Sequence, residues 1–400
     1  MWEKVQLKAI IEKPISGEWG DDGGNIKIIR TTNFTNNGIL DLTDVVSRNI
    51  GLKKVQKKRL FKGDTIIEKS GGSPTQPVGR VVFFNEEAIY LCNNFTSIIR
   101  PKQNVFPKYL FWFLFNNHIS KKTLKYQNKT TGIINLKLEN YINEIEIPLP
   151  PLPIQEKIAA IIDKADELRR KDQELQKKYD ELAQAIFIDM FGDPVKNEKG
   201  WEVKKLGEIC RKITDGTHHS PKNTNEGYKY VTAKHIKNCK LDFNSNPTYV
   251  SETDHKEIVG RCNPEFQDVL YIKDGATTGM AAVNTLTEEF SMLSSLALFK
   301  LNKNFINHDY LTYYLNADFV KENLIREFMA GAAIKRFTLQ KIKNFNILLP
   351  PLHLQQAFAK KIELINEVKA KTNTTKSEEL FQSLLRRAFK GELVDQYSVL

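Results

Sequence analysis

The sequence predicts an α+β protein: two tandem globules separated by two long antiparallel coiled-coil helices, related by a pseudo-twofold internal repeat. Three observations predict it. A motif recurs at an offset of 200 residues, as Pro150-Pro-Leu-Pro-Ile-Gln-Glu-Lys-Ile-Ala159 and Pro350-Pro-Leu-His-Leu-Gln-Gln-Ala-Phe-Ala359. Before each copy lie short β-rich runs broken by Gly, Asn and Pro, and after each comes a long amphipathic stretch. The composition is that of a globular chain, 41% hydrophobic and 27% charged, and its 400 residues are more than one core ordinarily holds.

The first globule is expected over 1–149, with strands at 26–29, 65–67, 80–84 and 88–92 and a helix at 107–117. A central helix at 150–192 follows. The second globule, 193–349, repeats the plan with strands at 228–232, 269–272 and 296–301 and a helix at 308–323, and a distal helix fills 350–400. The globule starts agree as well: Trp2, Leu7 and Ile10 face Trp201, Leu206 and Ile209 at an offset of 199. Late in the helices, Glu181, Leu182, Gln184 and Phe191 answer Glu379, Leu380, Gln382 and Phe389.

Pro148, Pro150, Pro151 and Pro153 close the irregular region, and a first helical turn tolerates proline. Apolar residues then fall at Ile154, Ile158, Ile161, Ala165, Leu168, Leu175, Tyr179, Leu182 and Ile186, a heptad series that only Asp172 interrupts. A helix from 152 to 189 reaches roughly 57 Å, too long to bury such a stripe on one small globule. The second copy supplies a partner: Leu354, Phe358, Ile362, Ile365 and Val368, then Leu380, Leu384, Leu385 and Phe389. Its polar middle, 369–377, predicts a weaker or bulged seam there.

Lys and Arg number 59 against 48 Asp and Glu, a formal charge of +11. That surplus favours polyanions, nucleic acid above all, although a lysine-rich soluble surface accounts for it too. Cys92, Cys210, Cys239 and Cys262 are 118, 29 and 23 residues apart, with no Cys-x-x-Cys pair. Neither a zinc ribbon nor a disulfide framework is indicated. No apolar run approaches the ~18 residues of a membrane span and the first residues carry no export-type apolar run, so a cytoplasmic location is expected.

Catalytic motifs are missing as a group: no Gly-x-x-x-x-Gly-Lys-Ser/Thr loop, no strand-linked Gly-x-Gly-x-x-Gly and no nuclease-type acid pair. Asn246-Pro-Thr-Tyr249 and Asn263-Pro-Glu-Phe266 fall short of an amino-methyltransferase tetrad, and no glycine-rich cofactor loop accompanies them. No catalytic residue and no metal ligand is expected in this chain.

A rod with a basic globule at each end works as a ruler. One turn of B-DNA is ~34–36 Å, so two such readers fit a bipartite, asymmetric duplex target. Candidate contacts lie in polar loops. Lys53, Lys54, Lys57, Lys58 and Arg59 form a basic cluster with no acid among them, suited to phosphate and also to a solvated face. Ser73 and Gln76 sit in the loop Ser70-Gly-Gly-Ser-Pro-Thr-Gln-Pro-Val-Gly79; Thr277 and Thr278 sit in its counterpart, Asp274-Gly-Ala-Thr-Thr-Gly279. Thr217, His218 and His219 belong to Asp215-Gly-Thr-His-His-Ser-Pro221. Adjacent histidines in a turn seldom present both rings to one ion, so a DNA-facing or capping role is favoured over metal. Lys234, Asn135, Lys335 and Arg336 complete the set; the last three lie in matching places just before the helices, which also suit plain turns.

The doubled Pro-Pro-Leu-x-x-Gln helix start (Pro150–Gln155, Pro350–Gln355), the two globule–helix halves, Asp215-Gly-Thr-His218 and the stretch from Lys69 to Val82 resemble the specificity (S) subunit of type I restriction–modification enzymes. The resemblance runs over essentially the whole chain. It implies that the globules are target-recognition domains and the helices a spacer holding two methyltransferase (M) subunits, with restriction (R) subunits joining them. S-adenosylmethionine, ATP and Mg are then expected on those partners, with no cofactor on this chain. Gln155, Gln184, Gln355 and Gln382 become candidate contacts to M subunits. The first globule departs from the Asp-Gly-Thr-His pattern with Ser16-Gly-Glu-Trp-Gly20. A type IIB-like specificity subunit, a coiled-coil protein scaffold and a recognition module fused to an enzyme are the other readings.

Overall fold

A computed structural model describes residues 2–130, 133–237, 239–329, 336–372 and 374–394. It divides into two compact units, Met1–Gln173 with Asn373–Leu400, and Glu174–Thr372. The helices used below are α1 (Leu52–Lys58), α2 (Pro107–Ile119), α3 (Leu152–Phe191), α4 (Glu252–Arg261), α5 (His308–Asn316), α6 (Leu352–Lys371) and α7 (Thr374–Lys390). Among the described residues no helix is long and apolar enough to cross a membrane.

In the first unit a four-stranded antiparallel sheet runs in the order Ile15–Ser16, Thr96–Ile99, Thr65–Glu68, Val81–Phe83. Strand Thr65–Glu68 is central and buried along its whole length, which its β-branched Thr-Ile-Ile run suits. A three-stranded sheet orders Val46–Asn49, Asp21–Ile29 and Tyr90–Cys92, the first pair antiparallel and the second parallel. Lys4–Gln6 pairs with Glu146–Pro148, which ties the start of the chain to the residues just ahead of α3. Helix α2 is buried on every side from Tyr109 to Asn117, so it shows no amphipathic stripe: it is the core helix, not a surface one.

The second unit repeats this plan. Cys210–Asp215, Leu296–Leu301, Val269–Ile272 and Ala281–Val283 form the equivalent antiparallel run. Tyr249–Val250, Tyr228–Val231 and Ser291–Met292 form the equivalent mixed sheet, again antiparallel then parallel. Glu202–Lys205 pairs with Asn346–Leu349. The helix expected over 308–323 is two helices. Asn316 ends α5 with its amide donating to Ala281 O and Thr312 O and accepting from Ala281 N–H, and a second helix, Asp318–Met329, starts beyond Ala317.

Each unit holds a helix pair. In the first, Ile154, Ile158, Ile162 and Ala165 of α3 join Phe381, Leu385 and Ala388 of α7 in one cluster with Tyr109 and Trp112. In the second, Ala183, Phe187 and Phe191 of α3 join Phe358, Ile362 and Ile365 of α6. There Gln176 reaches Lys369 and Thr372, while Phe187 meets Phe358, so numbering rises on one helix as it falls on the other: the pair is antiparallel.

The heptad series is only partly buried. Leu168, Leu175 and Leu182 are 46%, 38% and 47% exposed, and Ile162 replaces Ile161 on the inner face. A strict 3.5-residue series drifts ~20° per heptad across a 3.6-residue helix, which carries those leucines round to solvent. Buried polar residues take the inner line instead. Arg169 pairs with Asp166 (2.7 Å) and with Glu378 of α7 (3.1 Å), and in the second unit Lys369 pairs with Asp180. The single distal helix expected is broken: α6 stops at Lys371 and α7 starts at Thr374. The threonine-rich sequence there is a weak helix former, and the Gln176 amide takes up the carbonyls of Lys369 (2.9 Å) and Thr372 (3.1 Å) at the break.

Candidate nucleic-acid interface

In each unit one loop leaves the antiparallel sheet beside the mixed sheet. Gly17 and Gly216 begin these loops, and no other residue fits: a Cβ at Gly17 would lie 2.0 Å from Asn93 O, and one at Gly216 would lie 1.9 Å from Met292 O. Glu18 N–H donates to Cys92 O (2.8 Å) and Thr217 N–H donates to Met292 O (2.9 Å), so Ser16–Gly20 and Asp215–His219 are one structural element in two sequences.

Their surroundings differ in charge. Asp215 is buried and meets Lys273 (3.3 Å), Arg261 (3.0 Å) and His218 (3.4 Å). Its counterpart Ser16 has no charge, and the lysine in the place of Lys273, Lys69, donates to its hydroxyl at 2.5 Å. Burial and the charge of Lys58 push the Lys69 ammonium below the usual lysine range, and Cys92 opposes them. Glu18 accepts from Lys58 (2.9 Å) and Lys54 (3.4 Å), and the Lys58 hydrogen bond holds its carboxyl below the usual range. Trp19 stacks under the Arg48 guanidinium, 4.2 Å from ring centre to charge, and Asp22 pairs with that same arginine.

The structure sorts the expected contacts. Lys54 and Lys58 hold the Ser16–Gly20 loop, whereas Lys53, Lys57 and Arg59 are exposed. Arg59 and Arg100 both approach the Phe61 ring, each 4.3 Å from its centre. Ser73 works inside a turn, its backbone and hydroxyl bonded to Gln76, and leaves Gln76 exposed at the tip. Asn135 accepts from Ser70, which joins this loop to the Ile133–Leu136 strand. In the second unit Thr217 is buried, its hydroxyl bonded to the His219 backbone. The exposed rings of His218 and His219 diverge, one to Asp215 and the other to Glu257 (3.2 Å), which is not the convergence of a metal site. Thr278 is buried and donates to Gly275 O, so Thr277 is the exposed threonine of that loop. Lys234 is exposed beside Asn246, and Arg336 reaches Asp274 (3.5 Å). Lys335 lies outside the described residues.

The glutamines need correction. Gln155 and Gln355 are 1% and 0% exposed. Gln155 accepts from Phe106 N–H (2.8 Å) and donates to Pro150 O (2.7 Å) and Asn104 O (3.2 Å). Gln355 accepts from Asn307 N–H (2.9 Å) and donates to Pro350 O (2.8 Å) and Phe305 O (3.1 Å). Both are internal clasps between helix and globule, buried beyond the reach of another protein. Gln184 is exposed, and Gln382 is half-buried and bonded to Glu378. Sequence reasoning passed over Arg48 and Lys69. Alignment of the halves gave a signal for Lys69, the first residue after a matched strand in both; nothing singled out Arg48.

Known proteins share this organisation. The family model described as "Type I restriction modification DNA specificity domain" matches residues 1–177 and 198–382. The MjaIX type I specificity subunit of Methanocaldococcus jannaschii is 26% identical over 334 residues, covering 78% of this chain and 73% of its own. The solved type I S subunit of M. genitalium has the same fold at a TM-score of 0.59 and 15% identity, covering 97% of this chain and 96% of its own. A second solved chain, from structural work on complex assembly and conformational transition of the type I system, aligns at a TM-score of 0.52 and 20% identity, covering 98% of each.

Proposed function

Because the chain belongs to the type I restriction–modification DNA specificity family, we propose that its two globules each read one half of a split, asymmetric duplex target. The observation that carries this reading is the pair of equivalent loops, Ser16–Gly20 and Asp215–His219, held on the same scaffold with different side chains. One fold used twice with unlike loops suits two unlike half-sites, since base edges are read by loop side chains while phosphate contacts only position the protein. Gln76, Thr277, His218 and His219 are the exposed polar groups best suited to that reading, with Lys234 and Arg336 on phosphate. The exposed helix surface, including Gln184, docks methyltransferase subunits, and restriction subunits join through them. S-adenosylmethionine, ATP and Mg belong to those partners; this chain supplies recognition and no catalytic centre.

The test is modification-sensitive sequencing of DNA from cells that carry the methyltransferase partner, with and without this chain. A split motif with a fixed gap, methylated only when the chain is present, is the expected result. Methylation that ignores the chain, or a continuous motif, overturns the reading in favour of a protein scaffold.

A further inference from the structure

Helices α1 and α4 hold the same position in the two units and carry opposite charge. Each follows the outer strand of the mixed sheet and leads into the same turn: Asp64 accepts from Phe61 N–H (2.7 Å), and Asp268 accepts from Glu265 N–H (2.8 Å). Each also braces the loop proposed to read DNA. From α1, Lys54 and Lys58 hold Glu18; from α4, Glu257 meets His219 and Arg261 meets Asp215. The sequence of α1, Leu-Lys-Lys-Val-Gln-Lys-Lys, has no acid, whereas α4 sets Glu252, Asp254 and Glu257 against Lys256 and Arg261.

Bracing accounts for only part of the charge on α1. Lys54 and Lys58 are four residues apart and so share the face toward Glu18. Lys53 and Lys57 are likewise four apart, on the neighbouring face; both are exposed, and neither makes an ion pair or side-chain hydrogen bond among the described residues. Like charges at this spacing destabilise a helix, and a lysine in a first turn opposes the helix dipole. The stability of α1 therefore gives no reason for the pair. In α4 the arrangement is the reverse: Glu252 and Asp254 lie in the first turn, Ser251 caps it, and Lys256 is tied to Glu252 (2.7 Å).

We propose that Lys53 and Lys57 grip the phosphodiester backbone of duplex DNA, and that α4, at the same place in the second unit, supplies no such grip, so the phosphate contacts of the second half-site fall elsewhere, on Lys234 and Arg336. This rests on the DNA-recognition reading above. Each phosphate neutralised steepens the fall of log affinity against log salt by ~0.9.

The experiment uses the full chain and a fluorescein-labelled 40-base-pair duplex of random sequence, titrated at salt concentrations from 50 to 200 mM. With Lys53→Gln/Lys57→Gln the slope flattens by nearly two, so that the parent loses roughly tenfold more affinity than the variant across that range. Lys53→Arg/Lys57→Arg keeps the parental slope, and Lys256→Gln on α4 leaves it unchanged. A parent that binds with salt dependence while the double glutamine variant retains its slope overturns the grip alone, as does a Lys256→Gln variant that flattens the slope equally. A parent without salt-dependent affinity for duplex overturns both the grip and the DNA-recognition reading.

Discussion

Gln155 closes the start of α3 from within, its buried amide bonding two carbonyls and one N–H, of which the bond to Pro150 O is wholly buried. Gln155→Leu fills the same space, removes all three bonds and leaves Pro150 O buried without a partner. At about 1–3 kcal/mol for each buried polar group left unpaired, partial relaxation leaves an expected loss of about 3 kcal/mol, read by urea unfolding of the full chain; a loss below about 1 kcal/mol would mean the clasp is ornamental. The doubled motif revealed that this residue type matters at this place. It did not reveal the direction of the side chain, because a helix start puts position six of the motif within reach of both the globule and solvent. His118 lies near Arg80 in the first unit. Burial, with the nearby Arg80 charge, lowers its pKa to about 4, below the ~6.5 of an unfolded chain. The unfolded state therefore takes up a proton at pH values where the folded state does not, and stability falls as pH drops from about 6.5 toward 4. In His118→Phe that part of the fall disappears, which melting temperatures measured between pH 7.5 and 4.5 will register as a shallower decline.

At the scale of elements, the two buried cations of the helix pairs occupy matching places and should differ in weight. Arg169 is almost wholly buried against Asp166, itself buried, and it also reaches Glu378. Lys369 meets an Asp180 whose side chain is 41% exposed. Removing one partner of a buried pair strands a charge and costs about 3–5 kcal/mol, whereas a half-solvated partner falls back on water. Arg170 still reaches Asp166 (3.0 Å), so Arg169→Met is expected to cost about 3 kcal/mol and Lys369→Met about 1 kcal/mol or less, measured by denaturant unfolding. Equal costs would contradict the burial argument. The helices were legible from their apolar recurrence, yet that recurrence offers two overlapping stripes, one through Ile158 and Ile162 and the other through Ile161, Leu168, Leu175 and Leu182. Only the partner decides which is inner, and it comes from residues more than 160 positions away. Helix α2 was legible for a simpler reason: its apolar residues are contiguous, and burial on all sides leaves no choice of face.

For the whole molecule, the repeat at 200 residues made the doubled plan readable, but the chain does not pack along that repeat. The first unit takes its second long helix from the far end, α7, and the second unit takes its own from the latter part of α3. A repeat records which segments are alike and carries no information on which copy each one packs against. This fixes how a globule exchange has to be made. A junction at 149/150 keeps α3 and α7 as native partners, with Arg169 on Glu378. The incoming globule then needs an aromatic donor to replace Trp112, whose indole N–H bonds Asp163 (2.9 Å), and apolar rings for Tyr109 and Phe113, which pack on Phe389. With those kept, the exchanged chain is expected to melt within a few degrees of the parent and to change one half of the methylated motif, leaving the other half intact. A junction at 173/174 replaces the first part of α3 while α7 stays, mismatching the Arg169–Glu378 contact and the cluster around Phe381, so melting should fall by roughly 5–10 °C at about 2–4 °C per kcal/mol for units of this size. Should both halves of the motif change with the first junction, each globule would not be reading its own half-site, and the division of labour between the globules would be wrong.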